Sequence, residues 1–233
     1  MNPLVHKVLS PLLGLVKWYL SKPRKYSFSQ LSLVIHPGVF HPGLFFSTSF
    51  LADYILTLPL QGSRVIEVGC GSGLLSLVAA RKGATVTALD ISRDAVNNTR
   101  LNADKNHLSL RVIQSDLFDA CPPNEADWIF INPPYYPKMP VMEQDHAWYC
   151  GEDHAYFRKL FHQLQHTRAM IIMVLSDVCD LNAITQIAGE ASFVCHEIQR
   201  KRVWADGNNY LYRITQIGTD PGAGNKRNVD TPN

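Results

Sequence analysis

An apolar run carrying one acid, Val65-Ile-Glu-Val68, passes directly into Gly69-Cys-Gly-Ser-Gly73 and then into Leu74 to Arg81, which has helical spacing. A short buried strand feeding a glycine-rich turn and then a helix is the opening βα unit of a parallel sheet. Parallel neighbours need crossover helices, so such a unit predicts further alternation downstream. The chain supplies it. Strands are expected at Thr85 to Leu89, Leu110 to Ile113, Trp128 to Ile131 and Met170 to Leu175. Helices are expected at Arg93 to Lys105, with Ser92 as its cap, at His154 to Gln165 and at Leu181 to Ala188. A helix from Ser49 to Leu58, stopped by Pro59, leads in. Phe193 to Gln199 and Tyr210 to Ile217, with turn residues Asp206-Gly-Asn-Asn209 between them, read as a closing antiparallel hairpin.

Outside this alternation the chain changes character. Residues 1–42 form an extension: an apolar-rich stretch from Pro3 to Leu20, a basic turn around Pro23, and a strand-like Leu31 to Ile35 closed by His36-Pro-Gly38 and His41-Pro-Gly43. His6, Lys7, Lys17 and Pro11 interrupt the apolar stretch. It therefore reads as an amphipathic helix packed on the domain rather than a spanning segment or signal peptide, with interfacial membrane contact as the alternative. Residues 43–218 are expected to form the α/β domain. Residues 219–233, poor in apolar side chains, read as a disordered tail.

Composition narrows the class further. With 46% hydrophobic and 18% charged residues among 233, the chain is an ordinary globular protein, and a formal charge of +2 lacks the strong excess of a duplex-gripping one. Lys22-Pro-Arg-Lys25 and Arg200-Lys-Arg202 read as solvated faces, the second also as a candidate phosphate contact. The five cysteines are scattered without a Cys-x-x-Cys pair, so neither a metal site nor a disulfide framework is expected, and reduced thiols in the cytoplasm are the simplest reading.

The glycine turn can be matched to a ligand. A nicotinamide fingerprint is Gly-x-Gly-x-x-Gly, whereas here Gly69, Gly71 and Gly73 bring the third glycine one residue early. Glu67 just before the loop would repel a diphosphate, but it attracts a ligand carrying an ammonium and a sulfonium, as S-adenosylmethionine does. Asp90, ending the next strand with Ile91 beside it, is suited to accept from both ribose hydroxyls. Asp116, after the third strand, is suited to accept from the adenine amino group, with Leu117 against the ring. Cys70 completes the expected cofactor loop.

Asn132-Pro-Pro-Tyr135 ends the fourth strand and points to the methyl acceptor. A planar nitrogen is a poor nucleophile because its lone pair is delocalised. The Asn132 side-chain oxygen and the Pro133 carbonyl can hold its hydrogens, favour rehybridisation and stabilise the developing positive charge. Pro133 and Pro134 stiffen the turn, and Tyr135 offers a ring face for stacking. No His, Cys or Ser nucleophile is required. His146, His154, His162 and His166 read as ordinary surface or helix residues. The long stretch from Tyr136 to Gly151, with Trp148 and Tyr149, reads as a structureless loop over the acceptor site.

On Glu67 to Gly73, Asp90, Asp116, Asn132 to Tyr135 and Gly151-Glu-Asp153, the chain resembles the class I S-adenosylmethionine-dependent methyltransferases with the "methyltransferase small" domain. Within them it resembles the HemK-type enzymes that methylate release-factor glutamines. The resemblance implies a Rossmann-like, seven-stranded, mostly parallel sheet with an antiparallel terminal hairpin and helices on both faces. It implies methylation of a glutamine amide in a Gly-Gly-Gln context, with Asn132, Pro133 and Tyr135 around that amide. HemK-type enzymes carry a larger helical amino-terminal domain and a threonine-glutamate pair before the first helix. Here Phe45-Phe-Ser-Thr-Ser49 keeps Thr48 without the adjacent acid. The same tetrapeptide serves methyltransferases of exocyclic amines of adenine or guanine, so a tRNA or rRNA acceptor is the alternative. A binding module without catalysis is the alternative of another class.

Overall fold

The computed structural model describes residues 19–203 and 207–218. The expected tail, and all but the end of the expected amino-terminal helix, lie outside the described residues. Strands β1 (Arg24–Phe28) and β2 (Leu31–Ile35) form an antiparallel hairpin. The chain continues through α1 (Phe46–Thr57), β3 (Arg64–Val68), α2 (Leu74–Arg81), β4 (Thr85–Asp90), α3 (Arg93–Lys105), β5 (Arg111–Gln114), β6 (Trp128–Ile131), α4 (Ala155–Gln163), β7 (Met170–Ser176), α5 (Leu181–Glu190), β8 (Phe193–Val203) and β9 (Gly207–Gln216). The main sheet has seven strands in the order β5-β4-β3-β6-β7-β9-β8. Its first five strands are parallel, and β9 pairs antiparallel with both β7 and β8.

Each parallel strand is apolar on both sides because helices cover both faces. Alternation sorts the side chains into two cores. Ile66, Val68, Ile129, Ile131, Ile171, Met173 and Leu175 face α4 and α5, against Phe157, Leu160, Phe161, Ile184 and Ile187. Val65, Val86, Phe130, Ile172 and Val174 face the other way, into α1 and α2, and share that core with Leu31, Leu33 and Ile35 of the hairpin.

The hairpin is fastened by an asparagine ladder. Asn98, Asn102 and Asn106 lie four residues apart along one face of α3 and its C-cap. Their side-chain oxygens accept from the backbone N–H groups of His36 (2.8 Å), Val34 (2.8 Å) and Ser32 (3.0 Å). Their amide nitrogens donate back to Val34 (2.7 and 3.0 Å) and Ser32 (2.9 Å). Four residues of helix rise about 6 Å and two residues of strand about 6.6 Å, so the two repeats keep step over three rungs. The outer edge of β2 is thereby satisfied by side chains instead of a further strand. Asn102, with no exposed surface, also donates to the Ser72 carbonyl at 2.9 Å and so ties the glycine loop to the ladder. Asn102→Ala leaves the Val34 N–H and the Ser72 carbonyl without their side-chain partner, while the Val34 carbonyl keeps Asn98, and a loss of about 2–4 kcal/mol is expected from its urea midpoint; a loss below about 1 kcal/mol would mean the ladder is not holding the hairpin.

Several boundaries differ from expectation. Arg24 and Lys25, read as part of a basic turn, begin β1. Helix α1 starts three residues early, at Phe46. Helix α4 starts at Ala155 because His154 has left-handed backbone (φ 57). Gly207, Asn208 and Asn209, read as turn residues, belong to β9, where Asp177 accepts from the Asn208 backbone and side-chain nitrogens at 2.8 Å each. Among the described residues, no helix is long and apolar enough to cross a membrane.

Candidate functional site

A cavity of about 370 Å³ opens over the carboxyl ends of β3, β4, β5 and β6. The sheet order reverses between β3 and β6, and crevices at such reversals are where open α/β sheets take ligands. Its lining includes Glu67, Gly69, Cys70, Gly71, Asp90, Ile91, Asp116, Leu117, Asn132, Pro133, Pro134 and Tyr135. Of the residues expected at the site, Gly73 alone stands outside the lining. It begins α2 with φ +83, and a Cβ there would come within 2.9 Å of Thr99 on α3. Its role is the close approach of two helices.

The loop is held from both sides. The N–H groups of Gly69 and Cys70 reach the Leu89 carbonyl (2.8 and 2.9 Å), and Thr99 donates to the Gly71 carbonyl (3.0 Å). Gly71 donates to one oxygen of Asp90 (2.8 Å) and Ser92 to the other (2.9 Å). Each carboxylate oxygen accepts two bonds, so one acceptor position per oxygen remains on Asp90.

Glu67 differs most from its expected form. It is only 2% exposed, and its carboxyl accepts from the Ser76 backbone N–H (2.7 Å) and from the Ser76 hydroxyl. Burial pushes its pKa up to about 8; the Ser76 bonds oppose that shift and Asp90 adds to it. Near neutrality the group is largely a buried acid.

Asn132 is oriented by a residue of α1. Its amide nitrogen donates to Thr48 Oγ1 at 2.9 Å, and its oxygen accepts from the Tyr135 hydroxyl at 3.2 Å. The expected open acceptor is thus half-engaged, with one lone pair of Oδ1 taken by a neighbour. Asp116 also has a partner that the sequence did not reveal: Lys159 of α4 donates to it and to Asp119 at 2.7 Å each.

The segment from Tyr136 to Gly151 is organised, contrary to expectation. Tyr136 donates to the Trp148 carbonyl and Cys150 to that of Tyr136, at 2.9 and 2.8 Å. Glu143 in its short 3-10 turn accepts from the Arg93 N–H (2.6 Å), which anchors the segment at the start of α3 and lowers the Glu143 pKa. Trp148 packs on Phe40 and Phe45 at ring distances of 5.2 and 5.1 Å, roofing the cavity. His146, read as an ordinary surface residue, lines the cavity near Asp90, whose pKa is raised by burial against the opposing Gly71 and Ser92 N–H bonds.

Fold and cavity together define the class: a doubly wound α/β domain whose acids cluster at the ends of three adjacent strands. The family model for the methyltransferase small domain matches residues 30–147, and the chain belongs to that family. It is 37% identical over 97 residues to a ribosomal protein L11 methyltransferase from Porphyromonas gingivalis, covering 40% of this chain and 33% of that one. It is 34% identical over 112 residues to a putative protein N5-glutamine methyltransferase from Methanocaldococcus jannaschii, covering 46% and 52%. The aligned regions thus span between a third and about half the length of these relatives. The fold is also that of the T. Thermophilus 16S rRNA N2 G1207 methyltransferase, with a TM-score of 0.60 at 20% identity, covering 84% of this chain and 51% of that one.

Proposed function

We propose that this chain methylates a planar nitrogen, a glutamine side-chain amide of a protein such as a release factor, with S-adenosylmethionine as donor. The carrying observation is the clamp on Asn132 in the cavity wall: its nitrogen is held by Thr48 and its oxygen by Tyr135, which supports a fixed amide whose oxygen has a second lone pair for a substrate N–H.

The cavity fits the donor at both charged ends. Glu67 is a buried acid in want of a cation. Opposite in character, α1 starts without a side-chain cap or an acid in its first turn. Ser47 in that turn lines the cavity with a buried hydroxyl that has no partner among the described residues. A helix start without a side-chain cap, together with that orphan hydroxyl, suits a carboxylate. Asp90 would take the ribose and Asp116 the adenine amino group. When bound, the donor supplies an electrophilic methyl group on sulfur. Asn132 Oδ1 accepts an N–H of the incoming amide and holds it while positive charge grows on nitrogen. The Trp148 roof keeps water out, and the surplus proton on the product nitrogen passes to solvent.

The cavity's lip favours a protein acceptor. Tyr136 and Met139 line the cavity and are exposed, and Val141 and Met142, exposed as well, follow Met139 closely in sequence. The basic cluster is largely committed elsewhere: Arg200 is paired with Glu197 (2.8 Å), and Lys201 sits 4.9 Å over the Phe46 ring. An adenine or guanine amine in tRNA or rRNA is the second reading, kept by the shared Asn132-Pro-Pro-Tyr135. Tritiated donor, incubated with protein and cell lysate and followed by protease or RNase, separates them. Protease-sensitive label is expected; RNase-sensitive label selects the second reading, and no label at all sinks both.

A further inference from the structure

The cavity contains a hydroxyl that the protein itself does not use. Tyr156 is the second residue of α4, with its ring edge-on to Phe157 at 5.2 Å. Its oxygen is closed to solvent and has no hydrogen-bond partner among the described residues, yet the side chain lines the cavity. A buried polar group left unpaired costs on the order of 1–3 kcal/mol, so a ligand atom is the natural partner. Burial first, then Asp90, Asp116 and Cys150, raise its pKa; it keeps its proton and acts as a donor.

Its surroundings identify which part of a ligand it meets. Asp90 and Asp116 end neighbouring strands, and Tyr156 lies within electrostatic reach of both. One helical turn further, Lys159 takes Oδ2 of Asp116, leaving Oδ1 as an acceptor. The wall therefore offers an acceptor, Asp116, and a donor, Tyr156. A 6-aminopurine presents the complement: an amino donor flanked by ring-nitrogen acceptors at N1 and N7. Hypoxanthine does not, because its O6 is an acceptor and its N1 carries hydrogen.

We propose that Tyr156 donates a hydrogen bond to a ring nitrogen flanking the amino group of the donor's adenine, alongside Asp116, so that α4 completes recognition of the base. This rests on the donor-binding reading above.

Calorimetric titration with S-adenosylhomocysteine and its 1-deaza and 7-deaza analogues tests it on the wild type and on Tyr156→Phe, which keeps the ring. The wild type is expected to bind S-adenosylhomocysteine and to bind one deaza analogue about tenfold more weakly. Tyr156→Phe is expected to lose about tenfold for S-adenosylhomocysteine and nothing further for that analogue, with a melting temperature within about 2 °C of wild type. Equal affinity of wild type and variant overturns the proposal, as does a variant loss that recurs undiminished with both analogues. Should the variant not fold, the wild-type series decides: a loss with one analogue supports the proposal, and a loss with neither ends it. If the wild type does not bind S-adenosylhomocysteine, the donor reading falls as well.

Discussion

Asn132→Ala is expected to lower kcat by about 10²–10³-fold while the donor's dissociation constant moves by less than about threefold. The fall corresponds to about 2.7–4 kcal/mol, the usual scale for removing one preorganised acceptor or donor from a site where charge develops. The size of the effect follows from the clamp. Asn132 lines the cavity with Nδ2 tied to Thr48 at 2.9 Å and Oδ1 taking the Tyr135 hydroxyl at 3.2 Å, so its amide is held in place before the acceptor nitrogen turns pyramidal. Thr48→Val should act through the same atom: the amide loses its anchor, and kcat falls by about tenfold with little change in donor binding. Single-turnover kinetics with donor pre-bound measures the chemical step directly. An Asn132→Ala enzyme with wild-type turnover would remove the catalytic assignment and leave a donor-binding module.

Some of this site was legible before any coordinates and some was not, for identifiable reasons. Buried parallel strands are apolar on both faces, so Val65 to Val68, Trp128 to Ile131 and Met170 to Leu175 stand out as runs. The glycines and the acids at the ends of those runs mark the crevice, because sheet order brings Glu67, Asp90 and Asp116 side by side. Contacts between distant segments leave no such trace. Nothing local singles out Asn98, Asn102 and Asn106, since their partner strand lies more than sixty residues upstream. Nor does anything local single out Lys159, whose pairing with Asp116 is made only when α4 folds back over the end of β5. Gly73 belongs by spacing to the ligand loop, and spacing alone does not distinguish a glycine that admits a ligand from one that admits a helix.

The protonation state of Glu67 is the point at which burial most changes the chemistry, and it leads to a second large effect. Burial pushes its pKa up to about 8. An unfolded glutamate titrates at about 4.3, so this group's contribution to the stability of the fold is full below that pH and is lost as pH rises towards 8. Binding reverses the balance. A ligand cation beside Glu67 favours the carboxylate, lowers its pKa, and so expels the proton. The dissociation constant for S-adenosylhomocysteine is therefore expected to fall by up to about tenfold per pH unit between about 6 and 8, and to level off above. Calorimetry near pH 7 in buffers of different ionisation enthalpy should register close to one proton released per ligand bound. In Glu67→Gln the difference from wild type isolates this group from the ligand's own ammonium. The variant should lose the proton release and the steep pH dependence, and bind most weakly relative to wild type above pH 8, where the native carboxylate is fully ionised. A proton count near zero in the wild type would mean that the cationic part of the ligand sits elsewhere, and Glu67 would be left as the group that fixes the first turn of α2 through Ser76.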